Sequence, residues 1–185
     1  MLRGQKVLLR EKRLEDAYAD YRWRTDEELA RLDATTPLKF PFTEFLAYYA
    51  EELEYPTPRR RRFAIESLED NKQIGNCMYY DISFNAGEAE LGIMIGDKDY
   101  WGKGCGEDAV NTLLEHIFNT VKLKRVYLHT LESNGRAQAC FLRCGFQPYA
   151  HSRRNKRKFI AMEILRENWE RRRNPQPAGQ VDAKA

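Results

Sequence analysis

The sequence is poor in the features that mark zinc proteins, membrane proteins and nucleic-acid-binding proteins. It has three histidines, and its four cysteines, Cys77, Cys105, Cys140 and Cys144, form no C-x-x-C pair, so we expect no metal site. No stretch approaches the ~20 apolar residues that cross a bilayer, and a net charge of +3 does not by itself indicate a nucleic acid partner. The first eleven residues lack the apolar core of a secretory signal. We therefore expect a cytoplasmic protein with free thiols.

What is present indicates one folded domain. The chain has 185 residues, 42% of them hydrophobic and 12% aromatic, which is enough to bury a substantial core. The segment 174–185 is rich in Pro, Gly and Ala and is expected to be disordered. We therefore predict a single domain over residues 1–173.

The hydrophobic pattern predicts about seven strands and about four helices. The first predicted helix, over 14–34, is either continuous or broken near Asp26. The others cover 43–54, 107–121 and 136–144, and the strands cover 6–11, 62–67, 73–83, 88–95, 125–131, 146–152 and 158–165. Three consecutive strands without intervening helices predict antiparallel hairpins. The fold class is therefore α/β (α+β), with a mixed, mostly antiparallel sheet.

A glycine-rich turn comes directly before the helix at 107–121, with the sequence Gly102-Lys103-Gly104-Cys105-Gly106. Glycines at this place let the backbone approach a phosphate closely, and the first amides of a helix lack partners and favour an anion. A plain tight turn is the alternative interpretation, but three alternating glycines that open a long amphipathic helix directly after a hairpin strand favour anion binding. The segment 104–109 also matches the dinucleotide pattern G-x-G-x-x-A, although that fold normally begins with a βαβ unit.

Two longer segments together resemble the GCN5-related N-acetyltransferase (GNAT) family. The first is Ala89-Glu90-Leu91-Gly92-Ile93-Met94-Ile95 followed by 100–109, and the second is Ser133-Asn134-Gly135-Arg136-Ala137 followed by 141–146. The likeness covers roughly residues 6–165 and is greatest to the ribosomal-protein-alanine (RimJ/RimL-like) branch. It implies a GNAT fold with a splayed central strand and an enzyme that uses acetyl-CoA, without a metal, to acetylate a primary amine by direct attack.

The resemblance also implies roles for matched positions. The backbone of the central strand would pair with the pantetheine arm, the turn would hold the pyrophosphate, and the second motif would lie beside the acyl end. The implied CoA-binding residues are Ile93, Met94, Ile95, Trp101, Gly102, Lys103, Gly104, Cys105, Gly106, Asn134, Arg136 and Phe141. Many family members carry a tyrosine at position 141 that protonates the departing thiolate. Phenylalanine cannot do so, so this step would need water or another side chain, for example Cys140 or Cys144.

The amine must lose a proton before it attacks, so a base is required. Strand alternation places Glu90 on the same face as Met94, and His129 lies on the next strand; either residue is a candidate, and each also has an ordinary structural interpretation. Asn134 is counted among the catalytic candidates because it is placed near the acyl end, and Glu132 and Ser133 are further possibilities.

The acceptor and the partners are left open by the sequence. A protein N-terminus, including that of a ribosomal protein, a polyamine, an amino acid and an antibiotic amine all fit, and a homodimer is possible. Phe40, Phe42, Tyr48 and Tyr49 either line the acceptor pocket or fill the core. The basic runs 59–62 and 153–158 are solvated charge by default, or they bind the adenosine 3′-phosphate, an acidic substrate or RNA. The rival functions are a non-catalytic acyl-CoA-binding module and an RNA-binding protein.

Overall fold

The computed structural model describes residues 1–174 as one eight-stranded sheet in the order β1-β2-β3-β4-β5-β6-β8-β7. The strands are β1 (Leu2–Arg3), β2 (Val7–Glu11), β3 (Arg60–Ser67), β4 (Gln73–Ser83), β5 (Glu88–Ile95), β6 (Arg125–Leu131), β7 (Gln147–Arg154) and β8 (Arg157–Leu165). All neighbours are antiparallel except β5 and β6. The predicted fold class is therefore confirmed. The dinucleotide-binding alternative is wrong, because three antiparallel strands precede the glycine turn.

Six helices flank the sheet in the described part of the chain. They are α1 (Ala17–Thr25), α2 (Glu27–Leu32), α3 (Phe42–Glu54), α4 (Cys105–His116), α5 (Gly135–Cys144) and α6 (Arg166–Arg173). The chain breaks between α1 and α2 at Asp26, whose carboxylate caps α2 by accepting a hydrogen bond from the Leu29 amide at 2.9 Å. Helix α6 was not predicted. Its sequence RENWERRR contains one apolar residue, so it has no hydrophobic periodicity. The predicted disordered tail lies, after Asn174, outside the described residues.

Helix α4 supplies one side of the core. Its predicted apolar stripe, Ala109, Val110, Leu113 and Leu114, is fully buried and continues through Ile117 and Phe118. These last two residues begin a π-helical turn, Ile117–Val121, that ends at Lys122 in the left-handed region. Burial of each large side chain stabilises the fold by about 1.5–3 kcal/mol. This packing fixes the start of α4 against the sheet.

No helix within residues 1–174 is long and apolar enough to cross a membrane.

The parallel pair β5–β6 is short, and this determines where a site can form. The two strands pair only through Glu88, Ala89 and Glu90, opposite residues 125–127. Beyond this point β5 continues along β4 to Ile95, while β6 continues along β8 to Leu131. The strands therefore diverge after Glu90. Residues 91–95 are left with a backbone edge that β6 does not pair with, as the splayed central strand was expected to have.

Candidate active site

Two cavities meet at the divergence of β5 and β6. One has a volume of about 520 Å³ and runs along the glycine turn; we call it the turn cavity. The other has a volume of about 810 Å³ and extends between the sheet and helix α3; we call it the acceptor cleft. Ile93, Met94, Asn134 and Phe141 line both. A group transferred from one cavity to the other would therefore pass these side chains.

The glycine turn has the backbone conformation that its sequence predicts. Gly102 and Gly104 have φ angles of 76° and 82°, in the left-handed region that side chains disfavour. Helix α4 begins directly afterwards at Cys105, so its first amides face the turn without helical partners. The Trp101 indole N–H donates to the Ile95 carbonyl at 2.7 Å, which ties the turn to the end of β5. A Cβ atom at position 104 would lie 2.9 Å from Lys6 Nζ. The turn is thus a narrow anion cradle with a cation beside it.

A carboxylate on α4 anchors the turn to the N-terminal part of the chain. Asp108 accepts hydrogen bonds from the backbone amides of Gln5, Lys6 and Val7 at 3.1, 2.7 and 3.0 Å. Lys6 in turn donates through Nζ to the Lys103 carbonyl at 2.6 Å. Sequence reasoning missed these hydrogen bonds, because their partners are about 100 residues apart and no local pattern joins them.

Most of the predicted CoA-binding residues line the turn cavity. They are Ile93, Met94, Ile95, Trp101, Gly102, Gly104, Gly106, Asn134, Arg136 and Phe141. Lys103 and Cys105 belong to the turn but do not line that cavity: the Lys103 ammonium lies over the Tyr100 ring at 5.1 Å, and Cys105 is buried. Burial raises the pKa of the Cys105 thiol, so the helix start does not activate it. A ligand-binding role for these two side chains stays a prediction.

Arg136 and Asn134 hold the start of α5 beside the turn. The Arg136 guanidinium stacks on the Trp101 ring, 3.4 Å from its centroid, and burial lowers the pKa of this arginine. Asn134 caps α5, its side-chain oxygen accepting from the Ala137 amide at 3.2 Å. Its side-chain nitrogen donates to the Leu32 carbonyl at 3.4 Å. Asn134 therefore has a clear structural role at the junction of the two cavities, and its catalytic role stays a prediction.

Glu90 and His129 are brought together at the divergence. Glu90 Oε1 lies 2.9 Å from His129 Nδ1, and the two side chains are only 15% and 18% exposed. The Arg154 guanidinium lies 3.4 Å from His129 Nε2. Because a guanidinium only donates hydrogen bonds, this arrangement favours the tautomer with the proton on Nδ1 and the lone pair on Nε2. Burial, followed by the charge of Glu90, raises the pKa of the neighbouring Tyr80, which stays neutral.

The other base candidates lie elsewhere. Glu132 pairs with His151, Oε1 to Nδ1 at 2.9 Å, on the exposed face of β7. Neither Glu132 nor Ser133 lines the turn cavity or the acceptor cleft. The structure thus assembles the pair Glu90–His129 and leaves the alternatives outside.

Phe141 is 7% exposed and packs edge-on against Phe146, with ring centroids 5.8 Å apart. Of the two neighbouring thiols, Cys140 lines the turn cavity, whereas Cys144 is buried and lies 3.8 Å from the Glu107 carbonyl. Hydrogen bonding from Cys144 lowers the pKa of Cys140, and the same contact together with burial raises the pKa of Cys144. Of the two, Cys140 is the thiol that a bound ligand can reach.

Aromatic and charged side chains line the acceptor cleft. Phe40, Tyr48 and Tyr49 are among them, as one of the two interpretations predicted. Phe42 packs instead against Tyr18 and Tyr21, at 5.5 and 5.4 Å between centroids. Two arginines of the first basic run, Arg60 and Arg62, also line the cleft and pair with Glu52. The lining contains further residues that sequence reasoning missed: Lys12, Asp20, Arg24 and Asp33.

The arrangement supplies what acyl transfer from a phosphate-bearing thioester to an amine needs. Glycines without side chains and backbone amides without partners suit a pyrophosphate. The unpaired edge of a strand suits an extended arm that contains amide groups. A carboxylate–imidazole pair suits the removal of a proton. No group of three or more His, Cys, Asp or Glu side chains that could hold a metal ion occurs within residues 1–174.

Comparison with known proteins identifies acetyltransferases as the similar proteins. Residues 6–147 match the family model described as an acetyltransferase (GNAT) domain. An uncharacterised N-acetyltransferase of Bacillus licheniformis is 28% identical over 127 residues, 66% of this chain and 68% of that protein. A spermidine N(1)-acetyltransferase of Vibrio cholerae is 31% identical over 91 residues, 49% of this chain and 51% of the relative. That second match therefore spans about half the length of the relative.

The fold is shared with a solved structure. The crystal structure of spermidine N-acetyltransferase from Vibrio cholerae in complex with CoA and spermine has a TM-score of 0.81 to this chain, at 21% identity. The superposition covers 90% of this chain and 99% of that one. Together with the matched family model, the divergent strands and the glycine turn, this shows that the chain belongs to the GNAT family of acetyltransferases and is an acetyl-CoA-dependent N-acetyltransferase.

Proposed function

We propose that this enzyme acetylates the primary amine of a small molecule bound in the acceptor cleft, with His129 as the base and Glu90 as the residue that orients it. The observation that carries the proposal is the contact between Glu90 Oε1 and His129 Nδ1 at 2.9 Å, on the lining of the acceptor cleft. A carboxylate on Nδ1 leaves the Nε2 lone pair, which the Arg154 guanidinium faces at 3.4 Å, as the acceptor for the proton of the attacking amine.

The turn and the strand edge supply the other requirements. Acetyl-CoA, when bound, supplies the activated acetyl thioester. The amides that follow Gly104 suit its pyrophosphate, and the backbone of residues 91–95, which is free of β6, suits its arm and the developing oxyanion. Phe141 has no acidic proton to donate. Cys140, the thiol that lines the turn cavity, is therefore our candidate for protonating the departing thiolate.

Two classes of acceptor follow from the comparisons and from the resemblance. Polyamines are the acceptors in the names of relatives from Vibrio cholerae and Bacillus subtilis. The resemblance to the ribosomal-protein-alanine branch instead suggests the α-amine of a peptide N-terminus, and the α-amine of an amino acid is a further acceptor that the sequence leaves open. The volume of the cleft, about 810 Å³, suits a small molecule of either class.

The base assignment is tested by His129→Asn and Glu90→Gln. Loss of a positioned base typically costs about 100-fold or more in rate, and we expect this for His129→Asn in kcat/KM. We expect a smaller loss for Glu90→Gln, because the carboxylate no longer accepts the Nδ1 proton and orients the ring. The measurement is release of free CoA with a panel of amines, recorded across pH.

His151→Asn is the matched control. His151 makes the same contact with a glutamate, Nδ1 to Oε1 at 2.9 Å, but on the exposed face of β7. Its replacement should leave the rate unchanged. If His129→Asn and His151→Asn have equal activity, His129 is not the base.

A further inference from the structure

The charges of the acceptor cleft select the kind of amine that can bind there. Five cationic side chains line it, Lys12, Arg24, Arg60, Arg62 and Arg154, against four acidic ones, Asp20, Asp33, Glu52 and Glu90. A polyamine carries several positive charges and needs carboxylates that are free to receive them. Whether this cleft offers any depends on the partners of its four acids.

Each carboxylate of the cleft already has a partner in the fold. Asp20 binds the Lys12 ammonium at 2.6 Å and also accepts from the Gln73 and Asn76 amides. Glu52 binds Arg60 and Arg62.

The remaining two acids are also engaged. Glu90 binds His129, and Asp33 faces Arg24 at 3.8 Å. Burial raises the pKa of Asp33 in spite of that arginine.

One cationic side chain of the cleft lacks an ion-pair partner in the described part of the chain. Arg154, at the end of β7, has no carboxylate partner among residues 1–174. Its nearest polar contact on the cleft is His129 Nε2, at 3.4 Å. The free guanidinium therefore lies beside the nitrogen that we assign as the base. A guanidinium in this position matches a carboxylate in two-pronged geometry.

The two neighbouring groups set the spacing of the ligand. An amine that gives its proton to His129 Nε2 lies within a few ångströms of Arg154, so a carboxylate bound by Arg154 must be close to that amine. An α-amino acid has this spacing. Its side chain would extend along the apolar part of the lining, which includes Phe40, Phe45 and Tyr48.

We propose that the acceptor is an α-amino acid with an apolar side chain, and that Arg154 binds its carboxylate. The inference rests on the proposed function, and it names the substrate class for that same cleft. It also fits the ion pairs of the cleft within residues 1–174: a polyamine would meet carboxylates that already have partners and a guanidinium that has none, whereas an amino acid brings a carboxylate to that guanidinium. Tyr49, 3% exposed and without a hydrogen-bond partner for its hydroxyl in the described part of the chain, adds a further polar group on this lining.

The test compares phenylalanine, phenylalaninamide and spermidine as acceptors, with acetyl-CoA, for the wild type and for Arg154→Gln. The amide keeps the amine and the side chain and lacks the carboxylate. We expect the wild type to prefer phenylalanine in kcat/KM. We expect Arg154→Gln to raise the KM for phenylalanine about 10- to 100-fold, the range for a lost charge-assisted contact, while the values for phenylalaninamide change little. Comparing variant with wild type for each acceptor cancels their different intrinsic reactivities.

Arg153→Gln is the control, because Arg153 is the neighbouring arginine, equally exposed, and does not line the cleft; it should behave as the wild type. The inference is overturned if spermidine or the amide is the better substrate, or if Arg154→Gln slows all three acceptors equally. If none of the three is acetylated, the proposed function itself fails, which is a different result.

Discussion

At the scale of single residues, the side chain at position 141 distinguishes this site. Phe141 lines both cavities and is held by Phe146, but it cannot give a proton to a departing thiolate. Phe141→Tyr adds an acid at this position. Since a positioned proton donor contributes 100-fold or more in evolved enzymes, we expect kcat to rise by about 10-fold in this unoptimised case.

The measurement is steady-state turnover with saturating acetyl-CoA, and Phe141→Leu is the control that alters packing without adding a hydroxyl. An unchanged kcat in Phe141→Tyr would mean that departure of the thiolate does not limit turnover.

The sequence identified the types of reactive residue but not their contacts. Glu90 and His129 could be selected because they lie on adjacent predicted strands next to the glycine turn. Their contact depends on where β5 and β6 stop pairing, and the sequence does not show that point. Arg154 was recognised only as part of a charged run, since its proximity to His129 depends on the β7–β8 hairpin pairing with β6 through β8.

At the scale of elements, the junction of the turn and α4 is the most localised feature of the site. Gly104→Glu places a side chain where φ is 82° and where a Cβ atom would lie 2.9 Å from Lys6 Nζ. It also sets a negative charge at the amides assigned to the pyrophosphate. We expect CoA to bind at least ~100-fold more weakly, in line with the loss of one or two charge-assisted hydrogen bonds.

Isothermal calorimetry with CoA measures this effect. Gly135→Ala is the control, because a Cβ atom there meets nothing within 4 Å and the residue lies outside both cavities. Equal affinities of the two variants for CoA would mean that the pyrophosphate does not bind at this turn.

Elements with a strong periodic pattern were predicted well, and elements without one were not. The stripe from Ala109 to Phe118 indicated α4, and alternation indicated the three hairpin strands. The two-residue strand β1 is too short to leave a pattern. Helix α6 presents a single apolar residue, so only its packing in the finished fold reveals it.

At the scale of the whole molecule, that single apolar residue ties the C-terminal helix to the core. Trp169 is 7% exposed and packs against Phe118, with ring centroids 5.3 Å apart. Trp169→Ala should lower the free energy of unfolding by about 3 kcal/mol through lost burial and the cavity left behind. Urea denaturation measures this difference.

Leu142→Ala is the matched control, an apolar side chain on a helix that is 47% exposed; its effect should stay within about 0.5 kcal/mol. A loss for Trp169→Ala as small as this would mean that α6 is not part of the cooperative fold.

The anchoring of α4 by Asp108 has a practical consequence for anyone preparing the enzyme. The backbone amides of residues 5–7 hold the Asp108 carboxylate near the start of the coenzyme-binding helix. Trimming the chain to begin at the first long strand would remove these hydrogen bonds to Asp108, while every side chain that we assign to catalysis would remain. A shortened protein that folds but no longer binds the coenzyme would therefore reflect the loss of the hydrogen bonds to Asp108. It would not mean that the active site is wrongly assigned.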